Sequence, residues 1–193
     1  MATHLHRPHP DRPHLDRPHS DGGPVSVQCA VLTISDTRVP DTDKSGQLMK
    51  DYLMAAGHSV DHYQIVKDEP ECVAAVVKRL AERSDIQAVL LNGGTGIAPR
   101  DTTYDAIAPL LTKALPGFGE IFRQLSYAEI GSRAMASRAI AGIHTSIHPK
   151  PKNSHKSTLI FSVPGSSKAV KLAMEALIMP ELIHLTSLMG TDT

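Results

Sequence analysis

From residue 25 onward, apolar positions alternate between short continuous runs and longer stretches with helical spacing. Val25 to Ser35 is the first continuous run and reads as a strand. Lys44 to Ala56 then places Leu48, Met49, Tyr52, Leu53 and Ala56 on one helical face, with Gly57 as the stop. Val60 to Val66 is a second strand. Pro70 to Arg83 opens with proline in its first turn and carries Val73, Val76, Val77 and Leu80 as one stripe; Gln87 to Leu91 makes a third strand. Strand and helix in regular alternation predict a mainly parallel sheet covered by helices on both faces, a three-layer α/β/α sandwich. Ligands of such sheets bind beyond the carboxyl ends of the strands.

The second half changes rhythm. Gly117 to Glu129 reads as a helix with Phe118, Ile121, Phe122 and Leu125 inward, and the β runs Ala139 to Ile143 and Thr158 to Val163 look like a hairpin. Their connection, His144 to Ser157, is polar and proline-interrupted. It reads as a solvated mobile loop, the alternative being a lid whose Lys150, Lys152 and Lys156 cover phosphates. Pro164 and Gly165 open a helix with Val170, Ala173, Met174, Leu177 and Ile178 on one face. Pro180 starts a last helix bearing Leu182, Leu185, Leu188 and Met189, in which methionines act as core fillers.

Composition narrows the class. The 193 residues, 41% of them hydrophobic, suffice for one compact domain, assigned to residues 25–193. Residues 1–24 form a separate tail in which HRPHP, DRPHL and DRPHS repeat proline at fixed intervals. Such a segment cannot offset its ordering entropy and reads as disordered. His4, His6, His9, His14 and His19 lack the fixed spacing of a structural metal site. With 20 Lys+Arg against 20 Asp+Glu, no excess positive field draws nucleic acid. Cys29 and Cys72 have neither metal nor disulfide spacing and read as inert core thiols. No apolar run approaches the ~20 residues of a membrane span and the N-terminus lacks an apolar signal centre, so the cytoplasm is expected.

The stretch NGGTGIAPRDTTYD, Asn92 to Asp105, joins a buried strand to a helix. Gly93, Gly94 and Gly96 let a backbone approach an anion closely, Thr95 adds a hydroxyl, and the helix presents unpaired N–H groups. It has neither the lysine of a Walker loop nor dinucleotide spacing, so by itself it is either an anion cradle or a tight turn. Ser35 and Asp36 end the first strand. Asp43 caps the next helix, with Lys44, Ser45 and Gly46 following, and Pro164, Gly165 and Ser166 repeat that pattern at another helix start. Thr102, with Asp105 in a capping-box arrangement, leaves Asp101 free for a ligand. Asp68 either favours the helix start at Pro70 or faces the ligand too. Arg138 is either a phosphate contact or a subunit salt-bridge partner.

In this order, TISDTR (Thr33 to Arg38), DTDKSG (Asp41 to Gly46), IVKDEP (Ile65 to Pro70), the glycine turn, GFGEIFRQLSYAEIG (Gly117 to Gly131), SRAIAG (Ser137 to Gly142) and SVPGSSK (Ser162 to Lys168) carry a resemblance covering roughly Val27 to Met189. The chain resembles the molybdenum cofactor biosynthesis protein B and molybdopterin adenylyltransferase family, which includes the gephyrin-type molybdopterin-binding domain. The resemblance implies adenylylation of molybdopterin by ATP with Mg²⁺, releasing pyrophosphate ahead of molybdate insertion. It matches Asp68 and Asp101 to the family's two active-site aspartates, between which and the phosphates a Mg²⁺ is expected, and it places Ser35 and Asp36 along the site. It further implies a homotrimer, or two paired into a hexamer, and a downstream molybdate-insertion protein. A non-catalytic pterin-binding or assembly protein on the same fold is the alternative, and the molybdate-inserting branch, which usually carries further domains, is a second. One departure stands out: where the family often follows the aspartate with valine, threonine and proline, this chain has Thr102, Thr103 and Tyr104, which alters the helix entry.

Overall fold

The computed structural model describes residues 26–148 and 154–189; the expected tail, Lys150 and Lys152 lie outside them. The chain runs β1 (Gln28–Ile34), α1 (Lys44–Ala55), β2 (Ser59–Val66), α2 (Pro70–Ala81), β3 (Ala88–Asn92), α3 (Thr103–Ile107), β4 (Lys113–Ala114), α4 (Pro116–Ile130), β5 (Ile140–His148), β6 (Ser154–Val163), α5 (Ser167–Ala173) and α6 (Met179–Met189). The sheet has the order β2-β1-β3-β6-β5-β4. β1 pairs in parallel with β2 and β3, and β3 with β6, while β5 runs antiparallel to both β6 and β4.

Side-chain alternation on the central strands divides the interior in two. Cys29 and Val31 of β1, Ala88 and Leu90 of β3, and Leu159, Phe161 and Val163 of β6 point into one core with α1, α4 and α5. Ala30, Leu32 and Ile34, Val89 and Leu91, and Ile160 point into the other, against Val73, Val77 and Leu80 of α2 and Ile107 of α3. Burial on both faces is why these strands read as unbroken apolar runs, and each large side chain so buried contributes about 1.5–3 kcal/mol. The expected mainly parallel three-layer sandwich with its hairpin is what the chain forms. Phe118 of α4 meets Phe161 with ring centroids 5.5 Å apart, and Phe122 is buried beside them, but Ile121 is exposed.

Several expectations need correction. The hairpin is longer than its apolar runs, since pairing continues from Ile143↔Leu159 out to His148↔Ser154 and leaves little of the expected loop. Lys156 is no lid residue: its ammonium donates to Ala81 O (2.9 Å), Ile86 O (2.6 Å) and Thr158 Oγ1 (3.0 Å), beside the amino end of β3. Pro180 does not separate two helices. A π-turn over Met174–Ile178, in which the Met179 N–H reaches back to Met174 O, joins α5 to α6. The wider turn relieves the clash that a proline ring makes with the carbonyl four residues earlier. The continuous helix, Ser167–Met189, has 23 residues and is long and apolar enough to cross a membrane by length and composition, contrary to expectation. Val170, Ala173, Met174, Ile178 and Leu182 nonetheless bury its inner side in the first core. Cys29 is buried, but Cys72 is exposed on the first turn of α2, its thiol 3.4 Å from a Glu69 carboxylate oxygen.

Candidate active site at the carboxyl edge

β1, β3 and β6 end side by side, with Thr33 opposite Asn92 and Asn92 opposite Val163, so the loops that follow them crowd one edge of the sheet. Gly93 follows directly, its N–H bonded to Val163 O at 3.0 Å. Both Gly93 and Gly94 have positive φ, 103° and 62°, a region where a Cβ is strained. Close approach makes the same demand: a Cβ on Gly93 would stand 2.3 Å from Ile34 O, and one on Gly94 2.2 Å from Thr103 Oγ1 and 2.7 Å from an Asp68 carboxylate oxygen. A Cβ on Gly96 would stand 2.5 Å from an Asp101 carboxylate oxygen. The turn therefore carries one aspartate against each of two of its glycines.

Each aspartate is partly committed. Asp68 Oδ1 accepts from the Thr102 hydroxyl (2.9 Å) and from the Thr102 N–H (3.4 Å). Asp101 Oδ2 accepts from the Ala98 N–H (2.9 Å) while Asp101's own N–H donates to Ala98 O (2.8 Å), which closes the loop on itself. Thr102 thus spends its hydroxyl on Asp68, and the capping box anticipated with Asp105 does not form; Asp105 pairs instead with Arg138. α3, the helix expected to orient an anion, has only five residues, so its dipole adds little. The second oxygen of each carboxylate accepts no hydrogen bond among the described residues, nor do the Gly94, Thr95 and Gly96 N–H groups donate one. Asn92 Oδ1, Thr95 Oγ1 and Thr103 Oγ1, all buried around the turn, likewise have no hydrogen-bond partner among the described residues. Such orphans cost about 1–3 kcal/mol each unless a ligand or water satisfies them.

Neighbouring loops brace the turn. Asp36 accepts from the Asp68 N–H (3.3 Å) and pairs with Arg100, tying the loops after β1, β2 and β3 together. Ser35 Oγ accepts from the N–H groups of Thr37 (3.3 Å) and Arg38 (3.2 Å). Lys44 is exposed, whereas Ser45 and Gly46 lie beneath the surface. Ser45 donates to Gly165 O at 2.8 Å, and Gly46 packs so tightly under Asp43 that a Cβ there would come within 2.1 Å of its carboxylate. Pro164 and Gly165 stand partly exposed beside the turn, and Ser166 caps α5 through the Ala169 N–H (3.2 Å).

Asp43 does cap α1, through the Gly46 N–H at 3.0 Å, but sequence reasoning missed the network around it. Its carboxylate also accepts from Thr33 Oγ1 (2.5 Å), Tyr63 Oη (2.7 Å) and Arg38 Nη1 (3.1 Å), and Arg38 extends to Gly165 O (3.1 Å). Burial pushes the Asp43 pKa up; the bonds from Thr33, Gly46, Tyr63 and Arg38 outweigh it and hold the carboxyl below its ordinary value. Burial and then the Asp43 bond raise the Tyr63 phenol correspondingly. Arg138 is bonded within the chain. Its guanidinium donates to Gly96 O (2.8 Å), Asp101 O (2.6 Å) and the Asp105 carboxylate, over the Tyr104 ring.

A hard divalent cation suits this donor set, since each of Asp68 and Asp101 keeps one carboxylate oxygen without a hydrogen bond among the described residues. No cluster of three or more His, Cys, Asp or Glu side chains that could hold a metal occurs among the described residues. One or two carboxylates completed by phosphate oxygens and water is the habit of Mg²⁺.

The model of the family described as probable molybdopterin binding domain matches residues 30–184. The chain is 55% identical over 163 residues to molybdenum cofactor biosynthesis protein B of Halalkalibacterium halodurans, covering 84% of this chain and 89% of that one. Against the protein of the same description from Bacillus subtilis the identity is 53%, with the same coverage of 84% and 89%. Among solved structures, a molybdenum cofactor biosynthesis protein B superposes with a TM-score of 0.77 at 48% identity over 86% of this chain and 98% of that one. The tungsten cofactor synthesizing protein MoaB from Pyrococcus furiosus does so at 0.74 and 33%, over 86% and 99%.

Proposed function

The chain belongs to the probable molybdopterin binding domain family, with a role in molybdenum cofactor biosynthesis, and from that premise we propose that it adenylylates molybdopterin. An oxygen of the pterin's terminal phosphate attacks the α-phosphorus of ATP, the bond from that phosphorus to the bridging oxygen breaks, and pyrophosphate leaves. No side chain need become a covalent intermediate, so the protein's contribution is position and charge. The observation that carries this reading is the glycine turn, with unspent N–H groups between two carboxylates that each retain an oxygen for a cation. The three N–H groups of Gly94 to Gly96 are suited to hold phosphate oxygens, and the Asp36–Arg100 pair and Thr102 to keep the carboxylates aligned. Mg²⁺ held by Asp68 and Asp101 would supply the positive charge that lets carboxylates and phosphates share one site. The reading includes a cytoplasmic location, where ATP is available. A homotrimer, singly or paired as a hexamer, passing adenylylated pterin to a molybdate-insertion protein completes the reading.

The test is pyrophosphate release from molybdopterin, ATP and Mg²⁺. Wild type is expected to turn over, and Asp101→Asn to lose at least about tenfold in kcat while still binding pterin, because the amide keeps the shape and removes the charge. Pterin binding by wild type without pyrophosphate release would mark a binding or assembly protein instead. Unchanged turnover by Asp101→Asn would move the chemistry to another carboxylate.

A further inference from the structure

Next to Arg138, whose guanidinium bonds the Gly96 carbonyl and lies over the Tyr104 ring, is a recess of about 190 Å³. Tyr104, in α3, forms one wall. Arg123 and Gly119 of α4 form another, and Ala139 and Ala141 at the start of β5 form the floor. Ile140 pairs with Ser162, whose neighbour Val163 pairs with Asn92, so the recess opens at the sheet edge that carries the turn.

The polar groups here are unused. Arg38, Arg83, Arg100 and Arg138 each pair with an aspartate. Arg133 is exposed to water. Arg123 is half-buried yet makes no hydrogen bond or ion pair among the described residues, although Glu120 stands one turn earlier on the same helix. Its guanidinium folds back over Gly119, with Nη1 3.1 Å and Nη2 3.5 Å from where a Cβ would stand, so a side chain at 119 would crowd it. The Tyr104 hydroxyl also has no partner among the described residues, while its ring is held by Arg138 at 5.1 Å. A planar fork of donors and a phenolic O–H over an apolar floor match the oxygens of a phosphate group.

We propose that the Tyr104–Arg123 recess is a second phosphate-binding subsite, seating a phosphate group of the substrate while the glycine turn holds the reacting one. Naming that substrate rests on the adenylylation reading; the phosphate chemistry does not. Two sources present the same group, the pterin's phosphate and the nucleotide's, and binding measurements separate them. The full chain, Arg123→Met and Tyr104→Phe would be titrated calorimetrically with inorganic phosphate, AMP and molybdopterin, with melting temperatures alongside. Arg123→Met is expected to weaken inorganic phosphate about tenfold or more, as loss of a charged fork implies, and Tyr104→Phe by less. The ligand whose affinity falls in parallel, AMP or molybdopterin, identifies the source. If Arg123→Met lowers the melting temperature, Tyr104→Phe, which removes a single oxygen, decides alone. Wild-type affinities for all ligands in the folded variants would overturn the subsite, whether or not wild type releases pyrophosphate. A wild type that releases none while its phosphate binding still depends on Arg123 would overturn the adenylylation reading and leave the subsite standing.

Discussion

Arg138 spends its guanidinium on the loop that carries Asp101. Two of its bonds go to loop carbonyls, Gly96 O and Asp101 O, and its own N–H reaches Thr95 O at 3.1 Å. The pair with Asp105 is largely exposed on the carboxylate side and adds little; the carbonyl bonds carry the effect. Arg138→Ala should therefore destabilise the fold by about 1–3 kcal/mol and lower kcat at least about tenfold, with pterin affinity nearly kept. Arg138→Lys should not restore turnover, because a single ammonium cannot span both carbonyls and Asp105. Wild-type kcat in Arg138→Ala would mean that the loop is shaped by its glycines and by the Asp101–Ala98 contacts alone. Nothing local announces this role, since the bonded partners lie 42 and 37 residues away in sequence. The Asp43 cap was legible because its partner Gly46 is three residues on. The convergence of Thr33, Tyr63 and Arg38 on the same carboxylate was not, because it depends on how strands and loops meet.

Among the elements, legibility tracks burial. β1, β3 and the apolar half of β6 are covered on both faces and announce themselves as continuous apolar runs, and α1 and α2 show a clear stripe. The outer hairpin does not: Thr145, Ser146, Lys156 and Ser157 pair in register as strand but are polar and only partly buried, so hydrophobic periodicity cannot reveal them. The start of β1 is held by another contact between distant residues. Buried His58 accepts the Val27 N–H on Nδ1 at 3.1 Å, Ser59 donates to Val27 O at 3.1 Å, and Ser26 Oγ reaches Gly57 O at 2.8 Å. Burial lowers the His58 pKa below its ordinary value, so the unfolded chain binds the proton more tightly than the folded one. Stability from this group is then complete above about pH 6.5 and falls as pH drops through the lower folded value. Melting temperature should decline over that interval in wild type, and the decline should be shallower in His58→Gln. Parallel profiles for the two would assign the acid sensitivity elsewhere.

For the molecule as a whole, the two cores draw on residues from Val27 to Leu182, and the sheet is complete around its first strand. β1 has β2 on one side and β3 on the other, so its own ladder positions are filled. The edge strands are β2 and β4, and neither follows directly from the repeats. The repeats themselves offer proline, arginine, aspartate and histidine, with Leu15 as their one large aliphatic residue, too little apolar surface to offset the entropy of docking. Site residues from Ser35 to Ser166 are likewise braced by one another, through Asp36–Arg100, Asp68–Thr102 and Arg38–Gly165. Deleting Met1 to Gly23 should then leave the melting temperature within about 2 °C of the full chain and pyrophosphate release unchanged. Differential scanning fluorimetry and the turnover assay on the truncated protein check both. A melting temperature lowered well beyond that margin would show that the repeats dock on the fold. A loss of turnover at unchanged melting temperature would show instead that they form an arm reaching the carboxyl edge.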